Sequence, residues 1–496
     1  MLLCYFPNML IEVYYMASQK GLLVGAIIAI IIVGVAGFFA GQQFGGKTTT
    51  VTTTVGAGGA VTTTVTTTVT SGPGGASYTP PEQVKAAFIY VGPVGDFGWT
   101  YMHDLGRRVI DKLFGDKVVT AYSESVPEGQ VQDEIENYIS QGYNVIFTTS
   151  FGYMEGTLQA AKNNPNVMFF HCSGYLRYAN MGTYFADLYQ VYYLNGLIAG
   201  ALTKTGHLGY VAAFTIPEVV RHINAFAIGA KEIGEQLGKD IKVYVIEIGA
   251  WYNPEKAKAA AETLVNQYNV DAIAYTEDST AIIEYAEQLY QQTGKQIYVF
   301  SHYSPGYAYG PDVVVSGQIV RWEVIYTDIA AKILAGIYTP YNLENVDYWY
   351  LLNTGAVEFG ADINYTTNEV MHINPKFINE LKSITVTDKL TGQKMSAYDL
   401  IMKRYEEMKF APLEQALQGQ ANTHIYENLT TIDIGGKEKK YWVGPVFDPF
   451  TGPLDGYKKD NPNQKVHIRA GVRLSHDDLW NIDWFVDWVQ YLGGGG

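Results

Sequence analysis

Cysteine is nearly absent: Cys4 and Cys172 are the only two in 496 residues, so no disulfide framework can hold the chain together. Cys172 reads as a buried thiol. The nine histidines form no H-x-x-x-H or H-E-x-x-H pair, so a metal site has no support and no cofactor is expected. Positive charge is in deficit, with 34 Lys and Arg against 49 Asp and Glu, a formal −15. That balance argues against a nucleic-acid partner, which calls for a basic face. It also disfavours a polyanionic small ligand unless a local basic pocket overrides the average. No G-x-S-x-G, metal cluster or nucleophile–base signature is present, so an enzyme is not expected. What is there is core-forming material: 47% apolar and 17% charged residues, with 39 tyrosines. Aromatic faces with a polar tip suit binding clefts, and equally suit packing.

One long apolar run stands out. Residues 21–40 (GLLVGAIIAIIIVGVAGFFA) carry no charge, and twenty residues of helix span roughly 30 Å, the thickness of a bilayer core. A membrane helix is expected there. Lys20 before it, with the next basic residue at Lys47, puts the N-terminus inside and the rest outside. A cleaved secretory signal is the other reading. Lys20-Gly21 before Leu22 also resembles the cleavage site of archaeal type IV pilin-like signal peptides, and Met16 is an alternative start. Thr48 to Ala76 then carries four copies of Thr-Thr-Thr-Val between Gly-rich breaks. That period fits neither helix nor strand and reads as an extended, O-glycosylated stalk. The sequons at Asn364 and Asn428 agree with an extracellular, glycoprotein location.

From Lys85 short β-rich runs alternate with helical patterns: Ala86–Val91, Val118–Tyr122 and Val145–Thr149, each followed by a helical stretch, and then Val167–His171. The pattern restarts with Leu208–Ala213, Ile241–Ile248, Ala272–Tyr275 and Ile297–Ser301. Two such arrays predict an α/β fold of two doubly wound, Rossmann-like lobes joined by a hinge, with ligand held beyond the carboxyl ends of the strands. The segments after the strands pair aromatic rings with carboxylates, hydroxyls or glycines. They include Asp96-Phe97-Gly98-Trp99, Ser150-Phe151, Ser173-Gly174-Tyr175, Phe214 to Glu218, Trp251-Tyr252-Asn253 and Asp278-Ser279. Aromatic planes can sandwich a flat heterocycle while a carboxylate accepts its N–H or hydroxyl protons. Asp278-Ser279 is equally an N-cap signal.

The run Gly98-Trp99-Thr100-Tyr101-Met102-His103-Asp104-Leu105-Gly106-Arg107 resembles the opening motif of the basic membrane protein (BMP) family of ABC-transporter substrate-binding proteins. Pro217-Glu218-Val219 leading to Ile223-Asn224-Ala225-Phe226, Trp251 with Asn253-Pro254, and Asp278-Ser279-Thr280-Ala281 continue the resemblance in order, and it extends over Lys85 to Val489. The resemblance implies a type I periplasmic-binding fold, purine nucleosides or nucleobases as ligands, and permease and ATPase partners. By that analogy Asp96, Phe97, Trp99, Ser150, Phe151, Tyr175, Phe214, Trp251, Asn253, Asp278 and His302 line the cleft. Trp99 with Trp251 or Phe214 would stack on the base, and Asp96 and Asp278 would take its protons. His302 stands where many relatives carry Asp, and reads as a polar contact or as packing.

The expected organisation is a cytoplasmic lead (1–20), anchor (21–40), stalk (41–83), first lobe (84–205), second lobe (206–320), hinge return (321–362) and a C-terminal extension packed on the lobes (363–496). Two other readings stand beside solute capture. One is a structural, self-assembling surface protein that keeps the fold; the other is a nucleoside hydrolase.

Overall fold

A computed structural model describes residues 78–410 and 447–494 in full. For Cys4–Phe6, Met9–Ile11, Tyr426–Asp433 and Glu438–Gly444 it describes the backbone strands alone. Residues 1–77 form one unit and 78–496 another; within the first, Cys4–Phe6 and Met9–Ile11 pair antiparallel. The expected anchor, and the expected stalk as far as residue 77, lie outside the described residues. Among the described residues no helix is long and apolar enough to cross a membrane.

The second unit holds two parallel sheets. The first has β1 (Val84–Tyr90), β2 (Val118–Ser123), β3 (Val145–Thr149), β4 (Met168–Cys172) and β5 (Met181–Ala186) in the order 2-1-3-4-5. Helices α1 (Trp99–Phe114), α2 (Val131–Ser140) and α3 (Met154–Asn163) follow the first, second and third of these strands. Strands β3, β4 and β5 are buried at every position. A parallel sheet covered on both faces reads as an unbroken apolar run rather than an alternating one.

After α4 (Tyr189–Leu202) the second sheet repeats the pattern. It has β6 (His207–Ala212), β7 (Lys242–Glu247), β8 (Ala272–Thr276), β9 (Tyr298–Ser301) and β10 (Val314–Val320), with β7-β6-β8-β9-β10 again the spatial order. Its helices are α5 (Pro217–Gly234), α6 (Pro254–Gln267) and α7 (Ala281–Thr293). Proline opens α5 and α6, where a missing N–H costs nothing, and Gly294 at φ 72° closes α7.

The lobes are not continuous in sequence. The chain crosses between them at Asp187–Leu188, at Arg321 and at 351–356. Helix α4 packs on α5 of the second lobe, whereas α8 (Trp322–Leu334) packs on α1, and β11 (Asp347–Tyr350) completes the first sheet beside β5. A first lobe running unbroken through residue 205, as expected from the strand count, therefore gives way to an exchange of elements. α4 is buried at all fourteen positions, and a helix apolar all round belongs in a core. Its glycines allow the backbones to touch: a Cβ at Gly196 would stand 2.1 Å from the Phe226 carbonyl oxygen.

The later chain adds to these lobes. β12 (Val357–Phe359) pairs antiparallel with β10, and α9 (Pro375–Ser383) and α10 (Ala397–Lys409) pack on α4. A three-stranded sheet of β13 (Leu454–Lys458), β14 (Asn461–Ile468) and β15 (Trp484–Val486) leads to β16 (Val489–Gly494), which extends the second sheet parallel to β7. The Asn224 side chain fastens this segment to α5, donating to the Trp484 carbonyl at 2.8 Å and accepting from the Val486 N–H at 3.0 Å.

Candidate functional site

In the order 2-1-3-4-5 the connections leave β1 and β3 on opposite faces, so a crevice opens at their carboxyl ends; β6 and β8 do the same in the second lobe. The two crevices face each other around a small cavity of ≈ 20 Å³, room for about one water, so a solute enters only as the lobes part. The first lobe contributes Val91, Trp99, Ser150, Phe151 and Ser173. The second contributes Glu218, Trp251, Asp278 and Tyr303. None of these nine residues is a lysine, arginine or histidine.

The rings are held by other parts of the protein. Trp99 opens α1; its indole N–H donates to the Thr149 carbonyl at 2.6 Å, and its ring makes T-shaped contacts with His103 at 4.6 Å and Tyr303 at 5.2 Å between centroids. Trp251 rests on Phe214, with centroids 5.1 Å apart. The Ser150 hydroxyl donates to Glu128 at 2.8 Å. Across the lobes the Trp99 backbone N–H donates to Asp278 Oδ1 at 2.9 Å, the Ser173 hydroxyl donates to Glu218 Oε2 at 2.6 Å, and the Ser304 hydroxyl donates to the Phe97 carbonyl. The lobes are drawn together around the cavity.

The electrostatics are one-sided. Asp278 is held well above the usual carboxylate range, first by burial and then by the nearby charge of Asp96. Burial lifts Glu277 too, against the hydrogen bonds it accepts from Ser279 and the Asn253 N–H. Asp96 is pushed up to about 6 by burial, against the three backbone N–H groups of Gly98, Thr100 and Tyr101 that its carboxylate accepts at 2.9 Å each. Below pH 3.8 this carboxyl is protonated in folded and unfolded chains alike. The stability it supplies there is lost as pH rises through 6. At 1.36 kcal/mol per decade the loss approaches about 3 kcal/mol. Relative to the parent, Asp96→Asn should therefore gain about that much between pH 4 and pH 7 in denaturant titrations, whatever its constant offset. A difference that stays flat across that window would contradict the burial account.

The structure brings together Trp99, Ser150, Phe151, Trp251 and Asp278, with Phe214 behind Trp251. The other expected contacts are placed differently. Asp96 is buried, and its oxygens are occupied in capping the start of α1. Phe97 instead lines a second recess of ≈ 380 Å³ with Tyr101, Tyr252 and Tyr309. Tyr175 is 53% exposed, outside the cavity. The Asn253 side chain caps α6 by accepting from the Lys256 N–H at 3.0 Å. His302 is packed inside the second lobe against Tyr303 and Tyr192, and burial keeps its imidazole neutral by pushing its pKa well below the usual value.

Three polar cavity residues were missing from the expected set: Ser173, Glu218 and Tyr303. Glu218 was visible as an acidic residue in a post-strand segment, but at that position it reads equally as a first-turn helix carboxylate. Ser173 and Tyr303 take left-handed backbones, at φ 67° and 59°, and sequence gives little warning of such conformations outside glycine and asparagine.

A family model described as Bmp, ABC transporter substrate-binding protein PnrA-like, matches residues 83–388. The chain belongs to this family. It is 37% identical over 292 residues to a purine-binding protein of Brucella abortus, covering 59% of this chain and 79% of that one. A putative ABC transporter glucose-binding protein of Haloferax volcanii is 30% identical over 286 residues, 57% of this chain and 69% of that one. An ABC transporter solute-binding protein of Aeropyrum pernix superposes with a TM-score of 0.53 at 17% identity, over 66% of this chain and 91% of that one; at that identity the likeness speaks for the fold alone. This Bmp-family chain is thus an extracytoplasmic substrate-binding protein that captures a small solute for a permease and an ATPase, and it is not an enzyme. The matched span ends at residue 388, short of the Val489 to which the resemblance was read.

Gly41 to Thr48 (GQQFGGKT) fits the spacing G-x-x-x-x-G-K-[ST]. It lies outside the described residues and before the family match. It stands between the apolar run and the Thr tract, not after a β-rich run as a phosphate loop requires.

Proposed function

We propose that the solute is an unphosphorylated purine base or nucleoside. The observation that carries this reading is the cavity's composition: indole and phenyl rings of Trp99, Phe151 and Trp251 beside the carboxylates of Glu218 and Asp278, with no cationic residue in the lining. Rings supply faces for a flat heterocycle, and carboxylates accept its N–H and hydroxyl protons. A phosphate would meet acidic groups in a site that burial already makes costly to ionise. The Brucella relative, named for purine binding, supports the same reading. The Haloferax relative's name favours a hexose instead, and rings with carboxylates serve a sugar's hydroxyls and C–H faces as well.

Calorimetry with adenine, guanine, hypoxanthine, their nucleosides, the nucleoside monophosphates and glucose separates these. A purine base or nucleoside is expected to bind at least about a hundredfold tighter than its monophosphate. Trp251→Ala is expected to weaken it about tenfold, within the 1–3 kcal/mol that base–aromatic stacking contributes. Glucose binding without purine binding would replace this reading with the hexose one. The anchor at 21–40, the stalk at 41–83 and single-pass attachment belong to the same proposal: they hold the domain outside the membrane, near its permease.

A further inference from the structure

We infer that Glu218 is the clasp that holds the two lobes closed over a captured solute, and that the first turn of α5 ties this clasp to the hinge. Glu218 accepts a hydrogen bond from each side of the cleft. Its Oε2 accepts from the Ser173 hydroxyl of the first lobe at 2.6 Å, and its Oε1 accepts from the Tyr303 hydroxyl of the second at 2.9 Å. Tyr303 in turn lies against Trp99 of the first lobe. Both donors take left-handed backbones, as does Phe97 at the same lobe contact. Non-glycine residues persist there, at a cost of roughly 1–3 kcal/mol each, only where the surroundings hold them.

The hinge end is on the same helix face. Arg221 and His222 follow Glu218 by three and four residues, the spacing that stacks side chains along one face. Both reach Asp187, at the first crossing between the lobes: Arg221 Nε at 2.6 Å and His222 Nε2 at 3.2 Å. All three are fully buried. One helical turn thus joins a carboxylate in the cavity wall to the ion pair at the crossing. A solute touching Glu218 presses on the element that sets the hinge, so Glu218 is a positioning residue for closure as well as part of the wall. This rests on the cleft being the solute site, but not on which solute enters it.

The test uses residue-resolved hydrogen exchange on the full chain, without added solute, for Glu218→Gln and Ser173→Gly. The Trp99 amide donates across the lobes to Asp278, whereas the Thr100 and Tyr101 amides donate to Asp96 within the first lobe. Losing a hydrogen bond to a charged group is expected to speed exchange at Trp99 about tenfold in each variant, while Thr100 and Tyr101 keep the parent rate. Ser173→Gly installs the residue its φ favours, so the lost hydroxyl and not backbone strain is what that variant reads. A parent-like rate at Trp99 in either variant overturns the clasp. So does a rise at all three amides together, which is local unfolding and not lobe opening. If the parent chain binds no purine in calorimetry, the ligand reading falls alone and the exchange result still decides the clasp.

Discussion

Gly98→Ala is expected to weaken solute binding about a hundredfold while leaving the fold intact. A Cβ at Gly98 would lie 2.5 Å from Asp278 Oδ1 and 2.8 Å from Asp278 Cα. The second atom is backbone, so no rotamer change relieves the contact. Gly98 belongs to the first lobe and Asp278 to the second, and the clash is removed simply by opening the cleft. Opening also forfeits the Trp99 N–H bond to Asp278. Overpacking of this kind costs roughly 1–3 kcal/mol, a lost hydrogen bond about 0.5–1.5 kcal/mol, and about 2.7 kcal/mol is a factor of a hundred. Gly95→Ala is the internal control, since nothing lies within 4 Å of its Cβ. Calorimetry with the parent's own solute reads both. If Gly98→Ala binds as the parent does, the lobes do not need this approach.

The second large effect is on stability. Asp187 is fully buried and accepts from Arg221 Nε at 2.6 Å, Trp349 Nε1 at 2.9 Å, His222 Nε2 at 3.2 Å and the Tyr189 N–H at 3.2 Å. Burial opposes its ionisation, but the Arg221 charge and these bonds outweigh burial and hold its pKa below the usual value. Its contribution is therefore complete above the ordinary carboxylate range and is lost only in strong acid. Asp187→Ala leaves the Arg221 guanidinium buried without its anion. That should lower the unfolding free energy by about 4 kcal/mol, within the 3–5 kcal/mol of a broken buried pair. The Arg221→Met, Asp187→Leu double variant should recover much of the loss, because the cost lies in the unpaired charge. Denaturant titration of the three chains checks this, and additive losses in the double variant would contradict it.

How much of this was legible in the sequence follows from what each signal encodes. The strands of both lobes could be read because a doubly covered parallel sheet leaves unbroken apolar runs such as Val145–Thr149. Their ends then located Trp99, Trp251 and Asp278 without coordinates. The exchange of α4 and α8 could not be read, since an apolar helix face states that it is buried but not against which sheet. Asp96 and Asn253 read as ligand contacts because a capping carboxylate or amide and a binding one look alike in sequence. Tyr175 fails for the opposite reason: it stands in the same short segment after β4, yet the left-handed Ser173 directly after the strand turns the chain so that the serine, not the ring, meets the cavity.

The central claim, capture of an unphosphorylated purine between two closing lobes, is tested most directly by mass spectrometry of small molecules released from the full-length protein purified under native conditions. The account predicts a purine base or nucleoside, near one per chain, and absent from Gly98→Ala prepared alongside. Release of a hexose or of a phosphorylated nucleotide in its place would contradict it.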